Sequence, residues 1–450
     1  MTGEAFLEDS SFPQLKVARD SELMREVFQT HLRRLSGKAY RVRECRVSYI
    51  RYRRGKRCML QYTLRLVESE TGHEWSQWVS GTMYAGNKTR RRWEKLQRSL
   101  SEREVPSASL PFAPFSYLPD LDMLVQVFPY DRQLRALPFL MAGPPPELEP
   151  LILARFGPGN WQTEAWDVEP VQLVPESRAT LRLTARAQDV ATGRTEEKRF
   201  YAKVYSNEKQ GEQTYQVCQA LWDKASSGGV GFTVGRPVAY LSELRTLIQE
   251  EAPGTSLRRV LHHQEEGEAI LAVRRVARAL ASLHLNHVDT PRRIRLQDEA
   301  AGLERKRQSL QRTCPQLRSE IEEVVGAVVT GLADLEEIPP APTHGELRPE
   351  HILLDGNRLA LVDLDKFTGA DPVRDVANLS VLLAPAVARA FVEEYFAHVP
   401  EAWRTRLPVY YAGAVVGHSA RVARKAPELC PGVIETLIKK TRDSLADRIW

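Results

Sequence analysis

An internal repeat constrains this chain more than any other feature of its sequence. Residues 57–84, RCMLQYTLRLVESETGHEWSQWVSGTMY, align without a gap on residues 178–205, RATLRLTARAQDVATGRTEEKRFYAKVY, at a constant offset of 121. Seven of the 28 positions are identical: Arg57/Arg178, Leu60/Leu181, Thr63/Thr184, Arg65/Arg186, Thr71/Thr192, Gly72/Gly193 and Tyr84/Tyr205. Each copy reads as a strand, a Thr-Gly turn and a second strand, with β-branched and aromatic residues bounded by turn chemistry. A further echo follows in order at an offset near 123, LVQVFPYDRQLRAL (124–137) against LIQEEAPGTSLRRVL (247–261). The two matches predict tandem copies of one small α+β unit, at roughly 40–140 and 165–257. The copies differ where Lys203 of the second faces Thr82 of the first.

The Pro/Gly stretch AGPPPELEP (142–150) reads as the linker between the copies. From Glu268 the pattern turns helical, with Ile270, Val273, Val276, Leu280 and Leu283 at three- and four-residue spacing. Helices also fit 299–335, 373–398 and 401–447. A chain of 450 residues predicts two or three domains, placed here at 1–145, 150–257 and 258–450. Apolar residues at 42% and charged residues at 27% exclude a disordered or low-complexity chain. No run approaches 18 apolar residues, so no membrane helix is expected. The opening MTGEAFLEDSSF lacks a basic and an apolar region, so no secretory signal is expected and the cytoplasm is the default compartment. Five scattered cysteines support neither a disulfide framework nor a zinc site.

Charge is uneven. Eleven Lys/Arg fall between His31 and Leu60 (33, 34, 38, 41, 43, 46, 51, 53, 54, 56 and 57) against Glu44 alone, and Lys88, Arg90, Arg91, Arg92, Lys95 and Arg98 follow. A polyanion such as nucleic acid would be attracted to such a surface. No nucleic-acid motif accompanies the charge, which favours a solvated basic face instead.

The chemistry-bearing segment is THGELRPEHILLDGNRLALVDLDKFTGADPVRDVANL, residues 343–379. ILLD and LALVDLD read as two short strands around a turn at Asp355-Gly356-Asn357. That hairpin brings Glu346, His351, Asp363 and Asp365 towards one edge, where carboxylates and an imidazole suit divalent-metal and phosphate chemistry.

This segment resembles the catalytic core of the aminoglycoside phosphotransferase/choline kinase family, which has the protein-kinase-like fold. The family's His-Gly-Asp-x-x-x-x-Asn is matched by His344-Gly345-Glu346 with His351. Its apolar-Asp-apolar-Asp strand is matched by Val362-Asp363-Leu364-Asp365, and its Asp-Pro-x-x-Asp by Asp371-Pro372-Val373-Arg374-Asp375. The likeness covers about 165–400 and implies an α+β bilobal fold, with a duplicated β-rich amino-terminal lobe and a mainly helical carboxy-terminal lobe. It implies ATP and Mg²⁺ as cofactors and a small-molecule hydroxyl as acceptor. Lys203, in FYAKVY, is similar to the strand lysine that holds the nucleotide phosphates, with Glu212 as its helix partner. Gln249, Glu250 and Glu251 correspond to the hinge that meets adenine, and ALASLHLNH (279–287) to the helix before the catalytic loop. The family's glycine-rich loop is absent from LVPESRATL (173–181), which leaves Ser177 and nearby amides to cover the phosphates.

On this resemblance Glu346 orients the hydroxyl, Asp363 is the principal metal ligand, and His344 and Asp375 brace the loop. Two departures bear on activity. Glutamate at 346 adds a methylene, about 1.5 Å of reach, to the family's aspartate. Histidine at 351 replaces the asparagine's hard oxygen with nitrogen, which suits Mn²⁺ better than Mg²⁺ or moves the side chain to substrate contact. The alternative reading is a pseudokinase, a nucleotide-binding or interaction scaffold. Arg421, Arg424, Lys425, Lys439, Lys440 and Arg442 in the helical region point to an uncharged or anionic acceptor rather than a polycationic one. Residues 1–145 are expected to act as a lid or as an interaction module for a protein partner.

Overall fold

The computed structural model describes residues 9–32, 39–53, 55–86, 88–101, 112–228, 230–425, 430–446 and 449. Arg33, Arg34, Lys38 and Arg54 of the basic run, and the side chains of Arg424 and Lys425, lie outside the described residues. The chain divides into two units, Met1–Glu208 with Leu241–Thr246, and Lys209–Tyr240 with Leu247–Trp450. Antiparallel sheets occupy the amino-terminal part and helices the carboxy-terminal part, the mixed α+β class expected from the sequence.

In the first unit the 121-residue offset survives in the backbone. Strands β1 (Tyr40–Arg53), β2 (Arg57–Glu68) and β3 (Glu74–Tyr84) recur as β6 (Trp161–Val174), β7 (Arg178–Asp189) and β8 (Thr195–Tyr205), with the same ends after the shift. The pairing repeats as well: Arg57 lies opposite Tyr84, and Arg178 opposite Tyr205. Both tight turns need a left-handed residue, supplied by Gly72 at φ 71° and Gly193 at φ 70°. Strands β4 (Phe115–Leu118) and β5 (Met123–Val127) complete the first sheet in the order β1-β2-β3-β5-β4.

One face of that sheet is covered by two short helices that the sequence reading did not place, α1 (Leu15–Arg19) and α2 (Ser21–His31). Asp20 caps α2 by accepting from the N–H groups of Glu22 and Leu23. Phe12, Leu15, Met24 and Phe28 are buried against Leu60, Tyr62, Leu64 and Val79. The Tyr62 hydroxyl donates to the Ala18 carbonyl at 2.7 Å, so this buried polar atom is satisfied. Strand β1 is an edge, and Arg41, Arg43, Arg46, Arg51 and Arg53 point outward from it. Charges on an edge strand block pairing with other chains.

The second unit begins in α3 (Glu208–Ser226) and continues through β9 (Thr233–Val234), β10 (Pro237–Leu241) and β11 (Thr246–Glu250). Strand β12 (Thr255–Ser256) leads into α4 (Leu257–His263) and α5 (Glu266–Leu285). The apolar stripe read from the sequence is the buried face of α5, with Val273, Val276, Leu280 and Leu283 inside. Where one helix was expected over 299–335 there are two, α6 (Leu296–Thr313) and α7 (Arg318–Ala333). Pro315 separates them. The 373–398 stretch likewise divides into α8 (Val373–Ser380) and α9 (Pro385–Phe396) at Pro385. Proline lacks the N–H that a continuing helix needs and disfavours helical backbone just before it. Helices α10 (Leu407–Lys425) and α11 (Cys430–Leu445) end the chain. No helix among the described residues is long and apolar enough to cross a membrane. Cys314 is disulfide-bonded, which corrects the expectation drawn from the cysteine spacing, while Cys45, Cys58 and Cys218 are free.

Candidate active site

Four short strands frame the segment 343–379 inside the second unit. Strand β13 (Ala341–Thr343) delivers the chain to His344 and pairs with β16 (Thr368–Ala370). Between them, β14 (Ile352–Asp355) and β15 (Arg358–Leu361) form the expected hairpin, turning at Gly356 and Asn357. Its open end holds His351 and Val362 together, the Val362 N–H donating to the His351 carbonyl at 3.0 Å.

The loop 344–348 is fixed from beneath by Asp375 in the first turn of α8. This fully buried carboxylate accepts the backbone N–H of His344 at 2.6 Å and of Gly345 at 3.0 Å. His284 of α5 faces it at 3.5 Å through Nε2, while its Nδ1 meets the Tyr395 hydroxyl at 2.7 Å. Burial alone would raise the Asp375 pKa. The nearby His284, with His344 and Arg374, outweighs burial, so the carboxyl is held below its usual range. The Asp371 carboxylate accepts from the Val373 N–H at the start of α8 and is itself bound by Arg406 at 2.5 Å. Gly345 is obligatory: its φ is +82°, and a Cβ there would lie 2.1 Å from the Lys366 carbonyl oxygen.

His344 and His351 stack with ring centroids 5.5 Å apart. His344 Nε2 meets the Val362 carbonyl at 2.9 Å, so this imidazole is taken up in bracing the loop. His351 Nδ1 lies 2.9 Å from the Glu346 carbonyl, an acceptor, so Nδ1 carries the proton. Its Nε2 lone pair then faces Asp363 Oδ2 at 3.5 Å. Burial, and next the neighbouring His344, push the His351 pKa down, against the pull of Asp363 and Glu350. The neutral imidazole is the ligating form. Asp363 has φ +63°, a left-handed conformation uncommon for a residue with a Cβ.

One carboxylate and one imidazole, with Oδ2 and Nε2 3.5 Å apart, are donors of the kind a divalent ion takes. No cluster of three or more ligating side chains forms among the described residues. Mg²⁺ is commonly held by one or two carboxylates together with substrate phosphates, so two protein donors suffice. The Glu346 side chain makes no hydrogen bond or ion pair among the described residues and lines a cavity of about 300 Å³ within this unit.

The hinge segment belongs to the same unit. The Glu250 N–H donates to the Arg236 carbonyl at 2.8 Å. Gly254 follows at φ +120°, so close to β14 that a Cβ would lie 2.8 Å from the Leu354 carbonyl. The hinge thus rests on the hairpin that carries His351. Glu212 is exposed on α3 and forms no ion pair among the described residues. Lys203 lies on β8 of the first unit, opposite Thr180 on β7. The turn at 175–177 also belongs to that unit. Glu176 stands there at φ +56°, its N–H donating to Asp131 at 2.8 Å and its carboxylate paired with Arg57 at 2.8 Å and Arg132 at 2.9 Å.

Sequence reasoning brought Glu346, His351, Asp363, His344 and Asp375 to this region. It gave no role to His284, which sits 60 positions before the loop, or to Lys306, Arg348, Arg374 and His418, which line the cavity with Glu346. For His284, Lys306 and His418 the only signal is helical spacing, which places a residue on a face without naming what the face meets.

Comparison with known proteins assigns the class. The model of the Phosphotransferase enzyme family matches residues 180–409, just over half of the chain. The chain belongs to that family and shares its protein-kinase-like fold. Among solved structures, the ADP-bound aminoglycoside phosphotransferase APH(2'')-Ib is 13% identical, with a TM-score of 0.42 over 68% of this chain and 99% of that one. A thermostable mutant of aminoglycoside phosphotransferase APH(4)-Ia is 14% identical, with a TM-score of 0.45 over 65% and 98%. A putative fructosamine-3-kinase from Thermobifida fusca is 18% identical, with a TM-score of 0.42 over 66% and 98%. Comparison with curated proteins gave no match.

Proposed function

We propose that this protein is an ATP-dependent phosphotransferase acting on a hydroxyl of a small molecule. The observation that carries the reading is the His351–Asp363 pair, 3.5 Å apart, on the same loop and hairpin as the unpaired carboxylate of Glu346. When bound, Mg²⁺ or Mn²⁺ with ATP supplies an electrophilic γ-phosphorus and neutralises the charge that develops in transfer.

Asp363 and the neutral His351 hold the ion. Lys203 would meet the α- and β-phosphates, and the backbone of Gln249–Glu251 would receive adenine. Ser177 and the adjacent amides cover the phosphates, in a turn that Arg57, Asp131 and Arg132 of the first repeat hold in shape. Residues 1–145 therefore act as a brace on that turn. Glu346 accepts the acceptor's hydroxyl proton as the oxygen bonds to γ-phosphorus and the bond to the bridging oxygen breaks, releasing ADP.

Release of ADP, followed across a panel of hydroxyl compounds for the wild type and Glu346→Gln, tests the reading. Acceptor-dependent turnover that falls by about 10²–10⁴-fold in the variant supports it. Metal-dependent ATP binding with no turnover for any acceptor assigns the scaffold role instead.

A further inference from the structure

We propose that the acceptor is anionic, carrying a phosphate or carboxylate group that docks among Lys306, Arg348 and Arg374 while its hydroxyl meets Glu346. This rests on the phosphotransferase reading and specifies the substrate class of the same site. The cavity that Glu346 lines is enclosed by α6, the catalytic loop, α8 and α10, and its volume of about 300 Å³ suits a small molecule. Six cations line it, Arg292, Lys306, Arg348, Lys366, Arg374 and Arg421, against two carboxylates, Glu299 and Glu346.

Three of these cations, Lys306, Arg348 and Arg374, keep polar atoms that no acceptor takes up among the described residues. Arg374 pairs with Glu299 through Nε at 3.1 Å, yet its buried Nη1 has no acceptor. Arg348 pairs with Glu350 at 2.7 Å, yet its buried Nε has none. The Lys306 ammonium makes no hydrogen bond or ion pair among the described residues. It occupies space left by Gly417 of α10, where a Cβ would lie 3.2 Å from Nζ. Burial pushes the Lys306 pKa down, and Arg374 and Arg421 push it the same way against Glu299. His418 Nδ1 is a further buried polar atom without a partner.

Buried donors without acceptors are costly, and like charges in one cavity repel. An anion entering here satisfies the donors and removes the repulsion, whereas an ammonium-bearing acceptor adds to it. The guanidinium groups of Arg348 and Arg374 suit the oxygens of phosphate and carboxylate alike.

The test uses one three-carbon scaffold in four charge states, glycerol 3-phosphate, glycerate, glycerol and 3-amino-1,2-propanediol. Each is titrated calorimetrically into the full chain at matched ionic strength. Glycerol 3-phosphate or glycerate is expected to bind, and whichever binds tighter identifies phosphate or carboxylate as the group read. The binding should weaken at least tenfold in Lys306→Gln and in Asn378→Asp, which places a carboxylate in the lining with little change of volume and decides the matter if Lys306→Gln fails to fold. Tighter binding of the aminodiol, anion binding unchanged in the variants, or no binding of either anion overturns the inference. ATP titration with Asp363→Ala is a separate measurement, so failure of the nucleotide reading and failure of the anion reading are told apart.

Discussion

Replacing Asp375 with asparagine separates the brace from the chemistry it supports. The wild-type carboxylate accepts two backbone N–H groups, at 2.6 and 3.0 Å, in a fully buried setting. The amide keeps one acceptor oxygen and turns an NH₂ donor towards the other N–H. One hydrogen bond to a charged group is lost, and the same event orphans a buried donor, so the cost is about 2–3 kcal/mol. The orphaned amide belongs to His344 or Gly345, next to Glu346, and a displacement near 1 Å there lowers turnover by about a hundredfold. The pH dependence fixes the assignment. The folded pKa of Asp375 is lowered, so its contribution to stability is full above the unfolded value of about 3.9 and is lost as pH falls through the folded one. Urea denaturation at pH 7 should show the variant less stable by that amount, and the gap should close on acidification below about pH 4. A variant as stable as the wild type at pH 7, or a gap that widens in acid, would refute the brace.

Gly345→Ala forces a Cβ to within 2.1 Å of the Lys366 carbonyl oxygen at a left-handed φ, and turnover should fall below detection with a clear drop in melting temperature; an active, stable variant contradicts the loop geometry. Glu176→Gln leaves Arg57 and Arg132 without their carboxylate and should cost about 3 kcal/mol in chemical denaturation, at the low end for a buried pair because Arg57 is part-exposed. An unchanged midpoint would show that the first repeat does not hold the turn at 175–177. His351→Asn exchanges a nitrogen donor for oxygen, so the ratio of ATP affinity with Mg²⁺ to that with Mn²⁺ should rise several-fold in calorimetric titrations, and an unchanged ratio removes His351 from the metal.

The repeat was legible because strand pairing preserves register: a fixed offset in sequence becomes the same cross-strand partner twice, as for Thr82 opposite Met59 and Lys203 opposite Thr180. The loop 344–348 and its brace were legible because the residues lie within 32 positions, from His344 to Asp375, and a hairpin folds that span on itself. The helices before β1 were missed because α1 is a single short turn whose stability comes from packing on Tyr62 and its neighbours, not from local propensity. His284 and Lys306 were missed because each reaches the site from a separate helix, and no spacing within a helix reports the partner across it. The two proline breaks were visible as residues but were read through, since the apolar period continues across Pro315 and Pro385.

The account stands on an ion held by Asp363 beside a bound triphosphate. Calorimetric titration of ATP into the full chain with Mg²⁺, with Mn²⁺ and with a chelator, repeated for Asp363→Ala, tests it most directly. The account requires binding that depends on the metal and disappears in the variant. Binding indifferent to metal and to Asp363, or no binding under any of these conditions, contradicts it.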